Sequence, residues 1–231
     1  MPKLKTAFVL GAGLGTRLRP LTSDTPKPML PVRGKPLIGH IFEKLAAAGI
    51  EDIIVNTHHA AQKYAQYFSE PKFNGAKLRF AREEELLDTG GGLKNILGYL
   101  DFESGVLVYN GDIFWEGDIK KFAEFFEKTP CPAALVLRDE GANKNVSISG
   151  GFVKDMRFSL GAKGEKSMQF TGIFACRKEF LQIIKSYPQK KFSTVEALLE
   201  LIKKSPDSVA AYTDNSPWTD IGTINEYEKI K

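Results

Sequence analysis

The chain has 231 residues, of which 42% are hydrophobic and 26% charged, the balance of an ordinary water-soluble α/β unit with room for a substantial core. A formal net charge of +4 is mild, and its Lys and Arg are scattered, so composition argues against a nucleic-acid-binding protein. No apolar run is long enough to cross a bilayer.

Residues 1–6 lack the apolar core of a signal peptide, so a cytoplasmic location is the expectation. Cys131 and Cys176 stand inside apolar runs without metal-ligand spacing. They read as buried thiols of a reducing compartment, with a single disulfide as the alternative. The densest basic run, 185–191, reads as a solvated helix end and loop.

In chain order, 8–10 reads as a short buried strand and 36–48 as an amphipathic helix closed by Gly49. Strand signals at 52–56 and 77–81 flank a helix at 59–68. A helix at 92–100, a strand at 106–109, a helix at 118–128 and a strand at 133–137 follow. This alternation predicts a doubly wound, mostly parallel sheet. From 146 the pattern changes to short β-branched runs at 146–149, 152–158 and 168–175, which suggest a meander. Helices at 178–185 and 194–203, a strand at 208–212 and a terminal helix from 223 complete a single mixed α/β domain. A nucleotide-binding half (about 1–140) and an acceptor-binding half (about 141–231) are expected to share one core.

The most informative segment is Gly11-Ala12-Gly13-Leu14-Gly15-Thr16-Arg17, followed by Thr25-Pro26-Lys27-Pro28. Small residues let a ligand approach the backbone and leave N–H groups free for phosphate oxygens. Arg17 and Lys27 add fixed positive charge. A Walker loop would need Lys-Ser/Thr where Thr16-Arg17 stands. A dinucleotide-binding turn would run directly into a helix, whereas Pro20, Pro26, Pro28 and Pro31 prevent one.

Two carboxylates occupy positions suited to chemistry. Asp112 follows the strand 106–109 and Asn110-Gly111, at a carboxyl strand end where ligands collect in such sheets. Asp220 lies in Trp218-Thr219-Asp220-Ile221-Gly222-Thr223, after the last strand, where helix capping is its structural alternative. A pair of carboxylates with phosphate oxygens is the usual setting for Mg²⁺. Thr89-Gly90-Gly91-Gly92 offers a second bare backbone stretch, preceded by Glu83, whose role as base ligand or as part of a solvated acidic loop stays open. His58 and His59 read as structural or surface residues.

These motifs resemble the sugar-1-phosphate nucleotidyltransferases: an apolar strand, Gly-x-Gly-Thr-Arg, Pro-Lys-Pro, a strand-end Asn-Gly-Asp and a late Trp-x-Asp-x-Gly-Thr. The resemblance extends over essentially the whole chain and implies a Rossmann-like mixed sheet of the glycosyltransferase-A kind. It implies nucleotide contacts from Leu10, Gly11, Ala12, Gly13, Gly15, Thr16, Arg17, Lys27, Glu83, Thr89, Gly90 and Asn110. Arg17, Lys27 and Asp112 are implied as catalytic, Asp112 and Asp220 as Mg²⁺ ligands, and Thr171 and Gly172 as sugar contacts. The implied partners are a nucleoside triphosphate and a sugar 1-phosphate, with no nucleic acid or membrane, in a monomer or small homo-oligomer.

Within the family the pattern is most similar to N-acetylmuramate 1-phosphate uridylyltransferases. Mannose and heptose 1-phosphate guanylyltransferases and phosphocholine cytidylyltransferases share most of it. Two departures are visible: Gly11-Ala12-Gly13 replaces the usual Ala-Ala-Gly or Ala-Gly-Gly, and Val-x-Glu-Lys-Pro is absent. Lys154, Lys163 and Lys166 are left as candidates for the acceptor phosphate. A nucleotide-binding subunit without turnover is the alternative of another class, and the joint presence of Arg17, Lys27, Asp112 and Asp220 argues against it.

Overall fold

The computed structural model describes residues 3–231; Met1 and Pro2, part of the segment read for a leader, lie outside the described residues. The first half holds β1 (Thr6–Leu10), a small hairpin of β2 (Pro31–Val32) and β3 (Lys35–Pro36), α1 (Leu37–Ala47), β4 (Asp52–Thr57) and α2 (Gln62–Tyr67). Next come β5 (Lys72–Phe73), β6 (Ala76–Arg82), α3 (Asp88–Asn95), β7 (Val106–Asn110), β8 (Ile113–Trp115), α4 (Ile119–Lys128) and β9 (Ala133–Arg138). The second half holds β10 (Val146–Ser149), β11 (Phe152–Met156), β12 (Lys166–Cys176), α5 (Lys178–Ser186), α6 (Thr194–Lys204), β13 (Val209–Thr213), β14 (Trp218–Asp220) and α7 (Ile224–Glu228).

A 10-stranded sheet in the order β10-β11-β13-β9-β12-β7-β1-β4-β6-β5 runs through both halves. Its centre, β7-β1-β4-β6, is parallel, and there Leu10 aligns with both Asn56 and Asn110. Three strand ends therefore meet at one edge. Strand β12 inserts antiparallel between β7 and β9, so the sheet is mixed, and the expected meander contributes to its interior as well as its margin.

The period-2 alternation of side chains gives the sheet two apolar faces. Ala7, Val9, Ile53, Val55, Leu107 and Tyr109 pack with residues of α1 and α4. Phe8, Ile54, Val106 and Val108 pack with residues of α3, α5 and α6. Covering both faces explains why these strands read as continuous apolar runs. Helix starts follow local chemistry: the Asp118 carboxylate accepts the Lys121 N–H at α4, and Ser193 with Glu196 forms a capping box at α6.

Two expected helices shift. The helix expected at 59–68 contracts to α2, because 59–61 form a turn that faces the N-terminal loop. The helix expected from residue 92 begins at Asp88, so Thr89 and the three glycines lie in its first turns rather than in a preceding loop. The Asp88 carboxylate accepts the Thr89 N–H at 2.6 Å. Gly90, Gly91 and Gly92 are all buried, and close packing rather than turn formation explains their lack of side chains. Both cysteines are free and buried. Among the described residues, no helix is long and apolar enough to cross a membrane.

Candidate active site

The glycine loop leaves β1 and stays irregular through two single 3-10 turns, Thr16–Leu18 and Lys27–Met29, as its prolines require. Its first residue is clamped. The Gly11 N–H donates to Asn56 Oδ1 at 2.8 Å, and the Tyr64 hydroxyl donates to the Gly11 carbonyl at 2.9 Å. A Cβ at Gly11 would stand 2.8 Å from the Asn56 carbonyl oxygen, so only glycine fits. Burial pushes the Tyr64 phenol upward, which keeps it a neutral donor.

Glu83 is buried behind this clamp. Its Oε1 accepts from Asn56 Nδ2 at 2.7 Å and its Oε2 from the Leu87 N–H at 3.3 Å. Asn56 thus links the loop to the start of α3. The strand-end rule that picks out Asp112 applies equally to Asn56, which the motif reading passed over.

Beside the clamp opens a cavity of about 340 Å³ lined by Leu10, Ala12, Gly13, Lys27, Glu83, Thr89, Asn110 and Asp112 among others. Lys191, the last residue of the basic run read as solvated, also stands on its wall. Gly11 is buried and does not line it, and Gly15 turns the loop at a left-handed φ of 61°, its carbonyl accepting from Thr22 Oγ1. Thr16 and Arg17 are exposed, the Arg17 guanidinium 3.6 Å from the Cβ position of Gly222. The Gly90 N–H is taken by the Phe192 carbonyl at 2.8 Å, and a Cβ there would meet the Phe192 ring. Gly90 therefore packs α3 against 190–192 and does not line the cavity. Thr89 sits at the cavity while its hydroxyl accepts the Thr194 N–H.

A second cavity of about 600 Å³ adjoins, lined by Asn110, Arg138, Gln169, Thr171, Gly172 and Asp220 among others. Thr171 and Gly172 lie where the pairing of β12 with β9 shifts register between Phe170 and Phe174. Such bulges redirect side chains next to functional sites. Gly172 adopts a φ of 83°, and a Cβ there would meet Asn110 Nδ2 at 2.6 Å. None of Lys154, Lys163 and Lys166 lines this cavity. Lys154 pairs with Asp207 instead, whereas Arg138 and Arg157 do stand on the wall.

The two aspartates meet through a separate ribbon rather than through the main sheet. Strand β14 pairs antiparallel with β8, setting Asp220 opposite Ile113, and the Ile221 N–H donates to the Asp112 carbonyl at 3.1 Å. The buried ammonium of Lys27 lies 2.6 Å from Asp112 Oδ2 and 3.5 Å from Asp220 Oδ1. Burial, then the neighbouring Asp112, push the Asp220 carboxyl above the ordinary carboxylate value, against the pull of Lys27 and Arg17. Two oxygen-donor carboxylates facing one cation form a site that accepts further positive charge. His58 and His59 take no part: their rings face the carbonyl oxygens of Glu83 and Thr22.

Comparison with known proteins gives the family. The family model for nucleotidyl transferases matches residues 6–146. The chain belongs to the nucleotidyl transferase family. It is 32% identical over 223 residues to the D-glycero-alpha-D-manno-heptose 1-phosphate guanylyltransferase of Campylobacter jejuni, covering 96% of each chain. It is 42% identical over 114 residues to the N-acetylmuramate alpha-1-phosphate uridylyltransferase of Caulobacter vibrioides, covering 48% of this chain and 47% of that protein. Several other relatives are longer, this chain spanning between 51% and 62% of their length. The fold matches the crystal structure of HddC from Yersinia pseudotuberculosis complexed with GMP-PN, with a TM-score of 0.77, 27% identity and 98% of both chains covered. The fold is the mixed α/β sheet that the strand–helix alternation and the motif resemblance implied.

Proposed function

We propose that the chain transfers a nucleotidyl group from a nucleoside triphosphate to a sugar 1-phosphate, releasing pyrophosphate. The observation that carries this reading is the junction of the two cavities. Asn110 lines both, Asp112 belongs to the first and Asp220 to the second, and Lys27 bridges the aspartates. A triphosphate in the first cavity and a phosphorylated acceptor in the second would bring their phosphates together at this point.

The acceptor phosphate oxygen attacks the α-phosphorus in line, and pyrophosphate leaves. A phosphate monoester is already nucleophilic at neutral pH, so the site needs no side-chain base. The protein positions the reactants and neutralises charge, which are the large contributions in this chemistry. Lys27 and Arg17 serve the triphosphate; Leu10, Gly11, Ala12, Gly13, Gly15 and Thr16 shape its cradle; Thr171 and Gly172 border the sugar. Asp112 and Asp220 would hold a divalent cation. The hard oxygen donors suit Mg²⁺, with phosphate and water completing its shell, and a cation there would offset the burial and the neighbouring Asp112 that push the Asp220 carboxyl upward. When bound, the cation supplies Lewis-acid neutralisation of phosphate charge.

For the substrate pair we favour UTP with N-acetylmuramate 1-phosphate, the reaction named for the relative with 42% identity. Guanylyl transfer to a heptose or mannose 1-phosphate is the second reading, supported by the relative that matches 96% of both chains and by the structure complexed with GMP-PN. The test is pyrophosphate release from UTP, GTP, CTP and dTTP against a panel of sugar 1-phosphates and phosphocholine. One productive pair with a sugar 1-phosphate is expected; no release from any pair would overturn the reaction, and selective turnover of GTP would overturn the choice of base.

A further inference from the structure

Two arginines, Arg138 and Arg157, stand on the wall of the acceptor cavity. Arg138, at the end of β9, is 9% exposed, and its guanidinium sits over the Trp218 ring at 5.3 Å. One terminal nitrogen donates to the Trp218 carbonyl at 3.4 Å and the other to Glu140 at 3.1 Å, while its buried Nε has no partner. A buried cation with an idle donor is costly unless something compensates it. Its one carboxylate partner, the Glu140 side chain, is 64% exposed and works in competition with water. Arg157 stands on the same wall at a left-handed φ of 57°, with no ion-pair partner among the described residues. The other acids of this wall are engaged: Asp220 faces Lys27, and Glu226 pairs with Lys229.

Arg138 is also one strand removed from Asn110, the residue that lines both cavities. Strand β12 lies between β7, which ends at Asn110, and β9, which ends at Arg138. Two inter-strand spacings, roughly 10 Å, separate the two strands laterally, and the pairing of Arg138 with Gln169 sets it further along β12 than Gly172, a gap that a sugar ring together with a ring substituent would span. An acceptor with its phosphate at Asp112 and Asp220 would thus present its far side to the guanidinium, while Gln169, Asn143 and Thr171 offer neutral partners for hydroxyls. A planar guanidinium matches a carboxylate with two parallel hydrogen bonds.

We propose that Arg138, assisted by Arg157 at the rim, recognises a carboxylate on the acceptor sugar, so that the site selects an acid-bearing sugar 1-phosphate over its neutral counterpart. This rests on the sugar 1-phosphate reading above and narrows it. Arg138 is a specificity residue in this scheme, acting on the acceptor and not on the bond that breaks.

The test compares N-acetylmuramate 1-phosphate with N-acetylglucosamine 1-phosphate, which differ by the lactyl ether and its carboxylate, in calorimetric titrations of the full chain. The native protein should bind the acid-bearing sugar about tenfold to a hundredfold more tightly. Arg138→Gln should collapse that ratio toward one, Arg138→Lys should restore part of it, and Arg157→Gln should lower it by a few-fold. Equal affinities in the native protein would overturn the proposal. So would an equal loss for both sugars in Arg138→Gln, which would assign this arginine to the 1-phosphate. If Arg138→Gln fails to fold, as a melting curve will show, Glu140→Ala frees the guanidinium and must tighten the acid-bearing sugar alone; no change there overturns the proposal. Binding needs no turnover, so absent pyrophosphate release would count against the reaction and leave this assignment to be judged on affinity.

Discussion

The proposed nucleotide side and the proposed acceptor side of this molecule are built in different ways. On the nucleotide side, parallel strands end in register at Leu10, Asn56 and Asn110, and the groups proposed to face the triphosphate follow within one stretch of chain. A buried lattice of Gly11, Asn56, Tyr64 and Glu83 fixes that stretch. On the acceptor side, an antiparallel strand with a bulge, the loop 139–145 and the β8–β14 ribbon each contribute four or five lining residues. A polyphosphate is chemically constant and can be gripped by one contiguous, locked loop. A sugar varies, and its wall is assembled from separate pieces that can change one at a time.

The strongest way to break this comparison is at the junction where both sides meet. Asp112→Ala should lower turnover by about 10²–10³ while the far-UV circular dichroism spectrum stays native, since Asp112 is partly exposed and its loss leaves Lys27 beside Asp220. Full activity in a folded variant would remove Asp112 from the machinery. Lys27→Met should cost a similar factor and also leave two carboxylates facing each other without a counter-charge. Measured against Mg²⁺ concentration, that variant should be rescued in part by excess cation, and Asp112→Ala should not.

A smaller effect should separate the rigid side from the assembled one. Asn56→Ala removes the acceptor of the Gly11 N–H and a donor to buried Glu83, leaving buried groups unpaired at about 1–3 kcal/mol. For a chain of this size that corresponds to roughly 2–12 °C in melting temperature, with a higher KM for the triphosphate and little change for the acceptor. Gly172→Ala provides the mirror test. Its Cβ would crowd the Asn110 side chain, and the φ of 83° strains any residue other than glycine, so the KM for the acceptor should rise together with a loss in melting temperature, while the KM for the triphosphate changes little. An unchanged acceptor KM would remove Gly172 from the acceptor wall.

This difference also explains what could be read in the sequence. The parallel strands are buried on both faces and stand out as apolar runs, and the glycine loop with Lys27 and Asp112 is written in short contiguous motifs. Asp220 was legible because its motif is local, but its route to Asp112 was not: β8 and β14 are three residues each, too short for a periodic signal, and their pairing is a long-range choice. Gly90 and Gly91 look like an open turn, because a sequence does not record that Phe192 and Lys190 press against them. Arg138 left no signal at all. A lone arginine after an apolar strand is ordinary, and only burial beside Trp218 with an idle Nε makes it notable. Asn56 was within reach of the strand-end argument, and a motif-led reading overlooked it.

The smallest expected effect is a pH-dependent one, and it probes the ribbon that joins the two sides. In the native state, burial and Asp112 hold the Asp220 carboxyl above its usual value. An acid whose native value is raised costs stability when it is ionised. Asp220→Asn should therefore raise the melting temperature at neutral pH, by a few degrees at most because the side chain is 47% exposed. That gain should shrink as the pH falls through the raised native value, where the native carboxyl takes up its proton, and vanish below the ordinary carboxylate value. Saturating Mg²⁺ should reverse the order at neutral pH, because a ligand that binds only the native state stabilises it and the Asn variant has lost a ligand. A gain that persisted unchanged into acid would mean that Asp220 carries no electrostatic strain, and the carboxylate pair would lose its claim to want a cation.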